Sequence, residues 1–533
     1  MSDEWWRGGV IYQIYPRSFA DSDNDGVGDL KGIAGKLDYL QRLGVDGVWL
    51  SPFFRSPMRD YGYDVSDYCD VDPIFGTLAD FDSLLKGAHD AGLRLVIDQV
   101  YSHTSDQHPW FKASRASRDN AKADWYVWAE AKPDGAPPNN WIAIFGGQAW
   151  SWDTRRRQYY LHNFLPEQPD LNFHEPAVRA AILGVAEFWL DRGVDGFRLD
   201  VANFYYCDAQ LRDNPPKDSP ANAASGRFAR PYDHQRHLHD RSQPETLAFM
   251  EELRRLLDRY PARMSVAEIL SDSANARSIE YTAPGRLHTA YNFAFLHAAR
   301  LSPALVRETL ANWTSESAWP SWSFSNHDVA RARSRWGGAD ADDAYARMLL
   351  GLLFALRGTI FLYQGEELGL PQADVPFEKL KDPEGIRFWP DSLGRDGCRT
   401  PMPWKKGAPN AGFSTVEPWL PVDPRHAALA VDAQEADPAS TLHVTRKLIA
   451  FRKAHGALRS GSITFLDAPA PLLAFRRRDQ NESLVCIFNL GAAAADMPLP
   501  APAHRLDYSD GGAIEDGRAV LTAHGCLIAE ERA

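Results

Sequence analysis

Gly196-Phe197-Arg198-Leu199-Asp200-Val201 is a short apolar run that ends on a charged pair, and it follows an apolar helical pattern over residues 178–192. The same pattern recurs. Apolar runs at residues 10–15, 47–50, 94–98, 265–269, 289–293, 321–325 and 359–363 read as strands, with helical segments such as 30–43, 78–91, 244–259 and 341–356 between them. Alternating strand and helix imply a parallel sheet with helices outside it. Eight such units make an α/β fold of the (β/α)8 TIM-barrel type the economical solution. A doubly wound open sheet is the alternative, but no GxGxxG follows a strand.

Two regions break the alternation. Residues 104–173 are rich in Trp, Gly, Pro and Asn and read as a small domain inserted after the third strand. Residues 458–533 turn to short period-two strands, as expected of a C-terminal antiparallel β-sandwich. Residues 1–103 and 174–457 are then the barrel. A long excursion at 205–243 follows the fourth strand, and loops of that length at a barrel mouth are usually functional.

Composition excludes several classes. The chain has 533 residues, 44% hydrophobic and 24% charged, which suits a soluble globular protein. Its 58 basic and 71 acidic residues give a net charge of −13, and no basic stretch follows a phosphate backbone, so nucleic acid is not an expected partner. Cys69, Cys207, Cys398, Cys486 and Cys526 are scattered without a CxxC pair, which reads as free thiols in a reducing compartment. With neither a signal-peptide pattern at the start nor a run of membrane-span length, the expected location is the cytoplasm. Seventeen Trp suit sugar stacking and a large core equally.

Four fragments sit at or just beyond strand ends, where a barrel places its active site: Asp98 to His103, Arg198 to Asp200, Ala267-Glu268-Ile269, and Phe324 to Asp328. Cleaving a sugar acetal with retention needs an ionised nucleophilic carboxylate beside a protonated carboxyl. Arg198 lies two residues before Asp200, so on a strand both point the same way, and a guanidinium there is expected to lower the Asp200 pKa. Glu268 follows an apolar strand, which favours a raised pKa and an acid role. His327 and Asp328 offer adjacent donor and acceptor groups suited to vicinal hydroxyls. Each fragment also has a bland reading: a buried salt bridge, a strand-end Glu in water, a helix-capping Asp, loop-capping groups around Asp60, Tyr63, Asp98 and His103. Their succession behind separate strands does not.

Together these fragments resemble the α-amylase superfamily of glycoside hydrolases over essentially the whole chain. Gln168-Pro169-Asp170-Leu171-Asn172-Phe173 and Arg399-Thr400-Pro401-Met402-Pro403-Trp404 look like its α-glucosidase and oligo-1,6-glucosidase branch. The resemblance implies Asp200 as nucleophile, Glu268 as acid/base and Asp328 as the third carboxylate. It implies substrate contacts from Arg198, His103, His327 and Gln168, and aromatic walls from Tyr63, Phe145 and Phe164. Asp60 and Arg399 match a salt-bridged pair closing the pocket, which implies exo attack on small α-glucosides. Val201 after the nucleophile tends to accompany α-1,6 cleavage in relatives, whereas the 205–243 loop and Ala267-Glu268-Ile269-Leu270 look more like α-glucosidases of very short substrates, sucrose included.

Asp21-Ser22-Asp23-Asn24-Asp25-Gly26-Val27-Gly28-Asp29 places oxygen ligands at alternate positions with a Gly for the turn, which suits Ca²⁺, with Mg²⁺ able to substitute. Position twelve is Gly32 rather than Glu, so this is no EF-hand; a metal-free Asp/Gly turn is the alternative. The branch resemblance implies Asp21, Asp23, Asp25, the Val27 carbonyl and Asp29 as ligands. The chain is expected to act as a monomer or homodimer. A transglucosidase or trehalose-synthase-type isomerase would share the same glucosyl-enzyme, and a non-catalytic binding subunit is a third reading.

Overall fold

Eight parallel strands close into a barrel: β1 (Val10–Ile14), β2 (Gly47–Leu50), β3 (Arg94–Gln99), β4 (Gly196–Leu199), β5 (Met264–Glu268), β6 (Thr289–Tyr291), β7 (Pro320–Trp322) and β8 (Thr359–Tyr363). The computed structural model describes residues 4–218, 229–311, 313, 318–500 and 503–531. Each strand pairs with its neighbours in sequence, and β8 closes onto β1 from Val10 opposite Ile360 to Gln13 opposite Tyr363. This is the (β/α)8 architecture expected from the alternation. Part of the 205–243 excursion, residues 219–228, lies outside the described residues.

The helices that cover the barrel start on local signals. Thr77 and Asp80 form a reciprocal capping box for Leu78–Asp90, and Pro176 opens Pro176–Asp191 after a Glu175 cap. The helix expected over 30–43 is instead two, Leu30–Ala34 and Leu37–Leu43, broken at Gly35 and Lys36. The sixth strand is shorter than its apolar run. The Asn292 side chain accepts the Ala294 N–H, which caps Phe293–His297 and takes Phe293 out of the ladder.

Inside the 104–173 region, Trp128–Ala129, Trp150–Asp153 and Gln158–Leu161 form a three-stranded antiparallel sheet with the last strand in the middle. The six C-terminal strands, from Ser462–Phe465 to Arg518–Glu531, form one connected antiparallel sheet with apolar side chains on both faces. Leu473, Phe475, Leu484, Cys486 and Phe488 join the main core, and Leu472, Ala474, Val485 and Ile487 form a separate cluster. That period-two division is what the sequence pattern encodes.

Arg452, on the helix Thr441–Ala454, is buried at the seam between β8 and β1. It donates to the carbonyls of Gly8 (3.1 Å), Phe354 (2.6 Å), Leu356 (3.0 Å) and Gly358 (2.5 Å). Orphaning buried carbonyls costs about 1–3 kcal/mol each. Arg452→Met is therefore expected to cost about 3 kcal/mol or more, measured by equilibrium denaturation or as a fall in Tm. An unchanged Tm would mean that the seam closes without this side chain.

Candidate active site

The register of the barrel places the charged groups together. Asp98 on β3 sits opposite Arg198 on β4, and Val266 on β5 sits opposite Arg198 from the other side. Side chains at 198 and 200 share a face, so Arg198 points inward below Asp200. Its Nη1 donates to Asp98 Oδ1 (2.9 Å) and Asp200 Oδ1 (2.6 Å). Its Nη2 lies 2.7 Å from Glu268 Oε2, within ion-pair distance but out of line for a hydrogen bond. All four groups are buried.

Immediately after Asp200 the backbone bends sharply. Val201 has φ 33° and ψ 52°, a left-handed conformation that a β-branched residue rarely adopts. The bend aims the Val201 N–H at Glu268 Oε2, 3.0 Å away.

A second network orders the opposite wall. Gln13 Nε2 lies 2.7 Å from His327 Nδ1, which leaves the His327 Nε2 hydrogen for Tyr63 Oη (2.6 Å) or Asp328 Oδ2 (3.1 Å). Tyr63 Oη donates in turn to Asp98 Oδ2 at 3.1 Å, and its ring stacks on His327 with centroids 5.4 Å apart. Burial holds His327 well below its ordinary pKa and His103 down at about 4, so both are neutral. Phe164 packs against His103 and Phe145, with centroids 5.0 and 6.0 Å apart.

Asp60, Tyr63, His103, Phe145, Phe164, Gln168, Asp200, Val201, Glu268, His327 and Asp328 all line one pocket of about 400 Å³. Arg198 and Arg399, expected to contact substrate, lie beneath its wall and hold carboxylates in place. The expected Asp60–Arg399 pair does not form. Asp60 pairs with Arg395 (2.7 Å), which also pairs with Asp382 (2.7 Å), whereas Arg399 bonds Asp328 (3.0 Å) and the His327 carbonyl (2.7 Å). The two arginines flank the turn Asp396–Cys398, and only the fold decides which one reaches Asp60. Arg395 and Asp382 carried no separate sequence signal.

Burial pushes the Glu268 carboxyl up to about 8, with the charges of Asp200 and Asp328 adding to it and Arg198 opposing. Asp200 is not lowered by Arg198 as expected. Burial outweighs the guanidinium, and the Asp98 charge adds to it, so that Asp200 rises to about 7. The Glu268 side chain acts to lower Asp200, which favours the charge on Asp200 and the proton on Glu268. Burial also opposes ionisation of Asp328, but His327, Arg399 and Arg395 overcome it and hold the carboxyl well below the ordinary range. Because His327 is neutral, it acts on Asp328 as a dipole, and the arginines supply the charge.

Asp21, Asp23 and Asp29 each bring a carboxylate oxygen within 4.8 Å of the others. Asp25, expected to be a ligand, is not in that group; its Oδ1 accepts the Val27 N–H at 2.8 Å and shapes the turn. Asp23 is raised by burial and then by the charges of Asp25, Asp29 and Asp21. No described cation pairs with Asp21, Asp23 or Asp29, and a set of hard oxygen donors in that state fits a divalent ion such as Ca²⁺.

Residues 13–461 match the α-amylase catalytic domain. The chain belongs to the α-amylase family of glycoside hydrolases. It is 52% identical to a probable α-glucosidase of Rhizobium meliloti (strain 1021), covering 99% of this chain and 97% of that one. It is 38% identical to an oligo-1,6-glucosidase of Parageobacillus thermoglucosidasius, covering 94% and 93%. The solved structure of an α-glucosyl transfer enzyme, XgtA, superposes with a TM-score of 0.96 at 54% identity over 99% of this chain and 100% of that one. The branch read from the motifs at 168–173 and 399–404 is thus the one its relatives occupy. No helix among the described residues is long and apolar enough to cross a membrane.

Activity that needs Asp200 ionised and Glu268 protonated rises with pH as Asp200 loses its proton and falls as Glu268 loses its own. A bell-shaped kcat/KM profile is expected, with its maximum between about 7 and about 8. For Glu268→Gln, an aryl α-glucoside with an activated leaving group is expected to retain the first step and lose the alkaline limb. Retention of that limb would assign the proton to another group.

Proposed function

We propose that the chain is an exo-acting, retaining α-glucosidase that releases glucose from the non-reducing end of short α-glucosides such as maltose, small isomalto-oligosaccharides and sucrose. The reading rests on one observation: Arg198 joins Asp200 and Glu268 into an unequal carboxyl pair at the bottom of a pocket whose far wall is tied by Asp60 and Arg395. A pocket of about 400 Å³ suits a small molecule rather than a long polymer.

In the first step an Asp200 oxygen attacks the anomeric carbon while the bond to the leaving oxygen breaks and Glu268 gives that oxygen its proton. The product is a β-glucosyl ester and a free alcohol or sugar. In the second step Glu268, now a carboxylate, takes a proton from water; the water oxygen bonds to the anomeric carbon, the ester bond breaks, and α-glucose leaves. Asp328, ionised and fixed by two arginines, accepts hydrogen bonds from the ring hydroxyls. Asp21, Asp23 and Asp29 would hold Ca²⁺, or Mg²⁺ with retained waters, and the ion would neutralise their mutual repulsion away from the chemistry. Unpaired thiols accord with a cytoplasmic location.

A second reading, glucosyl transfer, draws on the likeness to XgtA and on Leu270, Phe293, Leu296 and Val329 in the pocket lining, which favour an organic acceptor over water.

Initial rates on maltose, isomaltose, sucrose, trehalose and starch, with anomers followed by NMR, test both readings. Rapid release of α-glucose from the short substrates and little from starch is expected; β-glucose as the first-formed anomer would exclude retention, and new glucosides as main products would establish transfer. Asp200→Ala should lower kcat on the order of 10⁴-fold or more with the fold intact by circular dichroism. Chelation should lower Tm, and added Ca²⁺ should restore it. Asp23→Ala should remove that response while leaving the pH profile unchanged.

A further inference from the structure

Behind the loop that follows Glu268 lies a second cavity, of about 510 Å³, that shares no lining residue with the sugar pocket. Arg241 is its most unusual feature. The residue is 6% exposed, yet its Nη1 is buried without a hydrogen-bond partner among the described residues. The guanidinium is held between two rings, 5.6 Å from the Phe204 centroid and 5.4 Å from that of Tyr232. Its sequence neighbour Asp240 makes no hydrogen bond to it: Asp240 Oδ2 is 2.6 Å from His237 Nδ1, and Oδ1 is buried without a partner among the described residues. Asp240 feels Arg241 through space alone.

The other charges around the cavity are largely matched. Lys217 pairs with Asp272 (2.9 Å), Arg236 lies 3.5 Å from Asp218, and Arg277 pairs with Glu280 (2.6 Å). Arg241 is therefore the one cation of this lining that no described carboxylate meets in an ion pair, and the buried Asp240 carboxylate acts on it only through space. Ser271 and Ser273 add hydroxyl donors to the same lining. A buried guanidinium with free N–H groups beside hydroxyls is matched by a compact anion that accepts several hydrogen bonds at once.

The wall between the two cavities is thin and specific. Leu270 faces the sugar pocket and Ser271 faces the second cavity. Asn203 Nδ2 bonds the Leu270 carbonyl (2.8 Å) and Ser242 Oγ (2.9 Å), which ties this wall to the backbone just after Asp200. An ion bound here would sit behind the acid/base loop without entering the sugar pocket.

We propose that this cavity binds a small tetrahedral oxyanion of the phosphate class at Arg241, at a site separate from that of the sugar. Inorganic phosphate titrated calorimetrically into the full chain at fixed ionic strength is expected to give a saturable heat that matched chloride does not. Arg241→Met should weaken binding at least about tenfold, and Arg277→Gln should weaken it to a smaller degree. Glucose 6-phosphate, the second probe, should compete with inorganic phosphate, which identifies the phosphoryl group as the part recognised. Maltose hydrolysis should show no competitive inhibition by phosphate.

Absence of a saturable heat, or wild-type affinity in Arg241→Met, would overturn the proposal. Competition between phosphate and maltose would overturn the separation of the two sites. If Arg241→Met does not fold, Arg277→Gln decides, since wild-type affinity there would equally rule the site out.

Discussion

A single guanidinium, that of Arg198, sits within reach of three buried carboxyl groups, Asp98, Asp200 and Glu268. One cation cannot neutralise three acids, so the cluster retains a proton, and the geometry decides which group keeps it. Asp98 and Asp200 receive aligned hydrogen bonds from Nη1, whereas Glu268 meets Nη2 out of line and accepts only the Val201 N–H. Burial raises all three, and Glu268 ends highest, at about 8. The unequal roles that glycoside cleavage demands follow from that unequal share of one charge.

The barrel makes this sharing possible. Parallel strands in consecutive order set Asp98 beside Arg198 in the ladder, and β5 delivers Glu268 one strand further round. Residue spacing alone puts Asp200 above Arg198, but only the pairing of three neighbouring strands brings their carboxyls onto one guanidinium. The cost appears at Val201, whose left-handed backbone is strained for a β-branched side chain. A conformation that costs on the order of 1–3 kcal/mol persists because the surrounding structure fixes it. In return, its N–H points at Glu268 Oε2.

The sequence made the barrel legible because strands buried on both faces leave short apolar runs that turn signals punctuate. Residues 47–50 and 359–363 coincide with observed strands, and errors elsewhere fall at ends, as where Asn292 caps a helix. The carboxyls were legible for a related reason: each ends such a run. What the sequence did not carry was pairing between distant loops. Arg395 and Arg399 lie four residues apart in one loop, and the choice of partner for Asp60 depends on where that loop folds back. The direction of the Asp200 shift was lost similarly, since a neighbouring arginine is visible in sequence but full burial is not.

Arg198, Arg395 and Arg399 face six carboxyls, those of Asp60, Asp98, Asp200, Glu268, Asp328 and Asp382, and His103 and His327 are held neutral by burial. The cations are distributed unevenly. Arg395 is shared between Asp60 and Asp382 and lies 3.5 Å from Asp328, which Arg399 also holds. Asp328 therefore stays ionised, and the shortage of positive charge falls on the Arg198 side. Neutral histidines are necessary to that outcome, because a protonated His327 beside Tyr63 and Asp328 would relieve the shortage and release the proton on Glu268. Burial of His327 against Tyr63 and Tyr15 thus helps to keep the proton on Glu268.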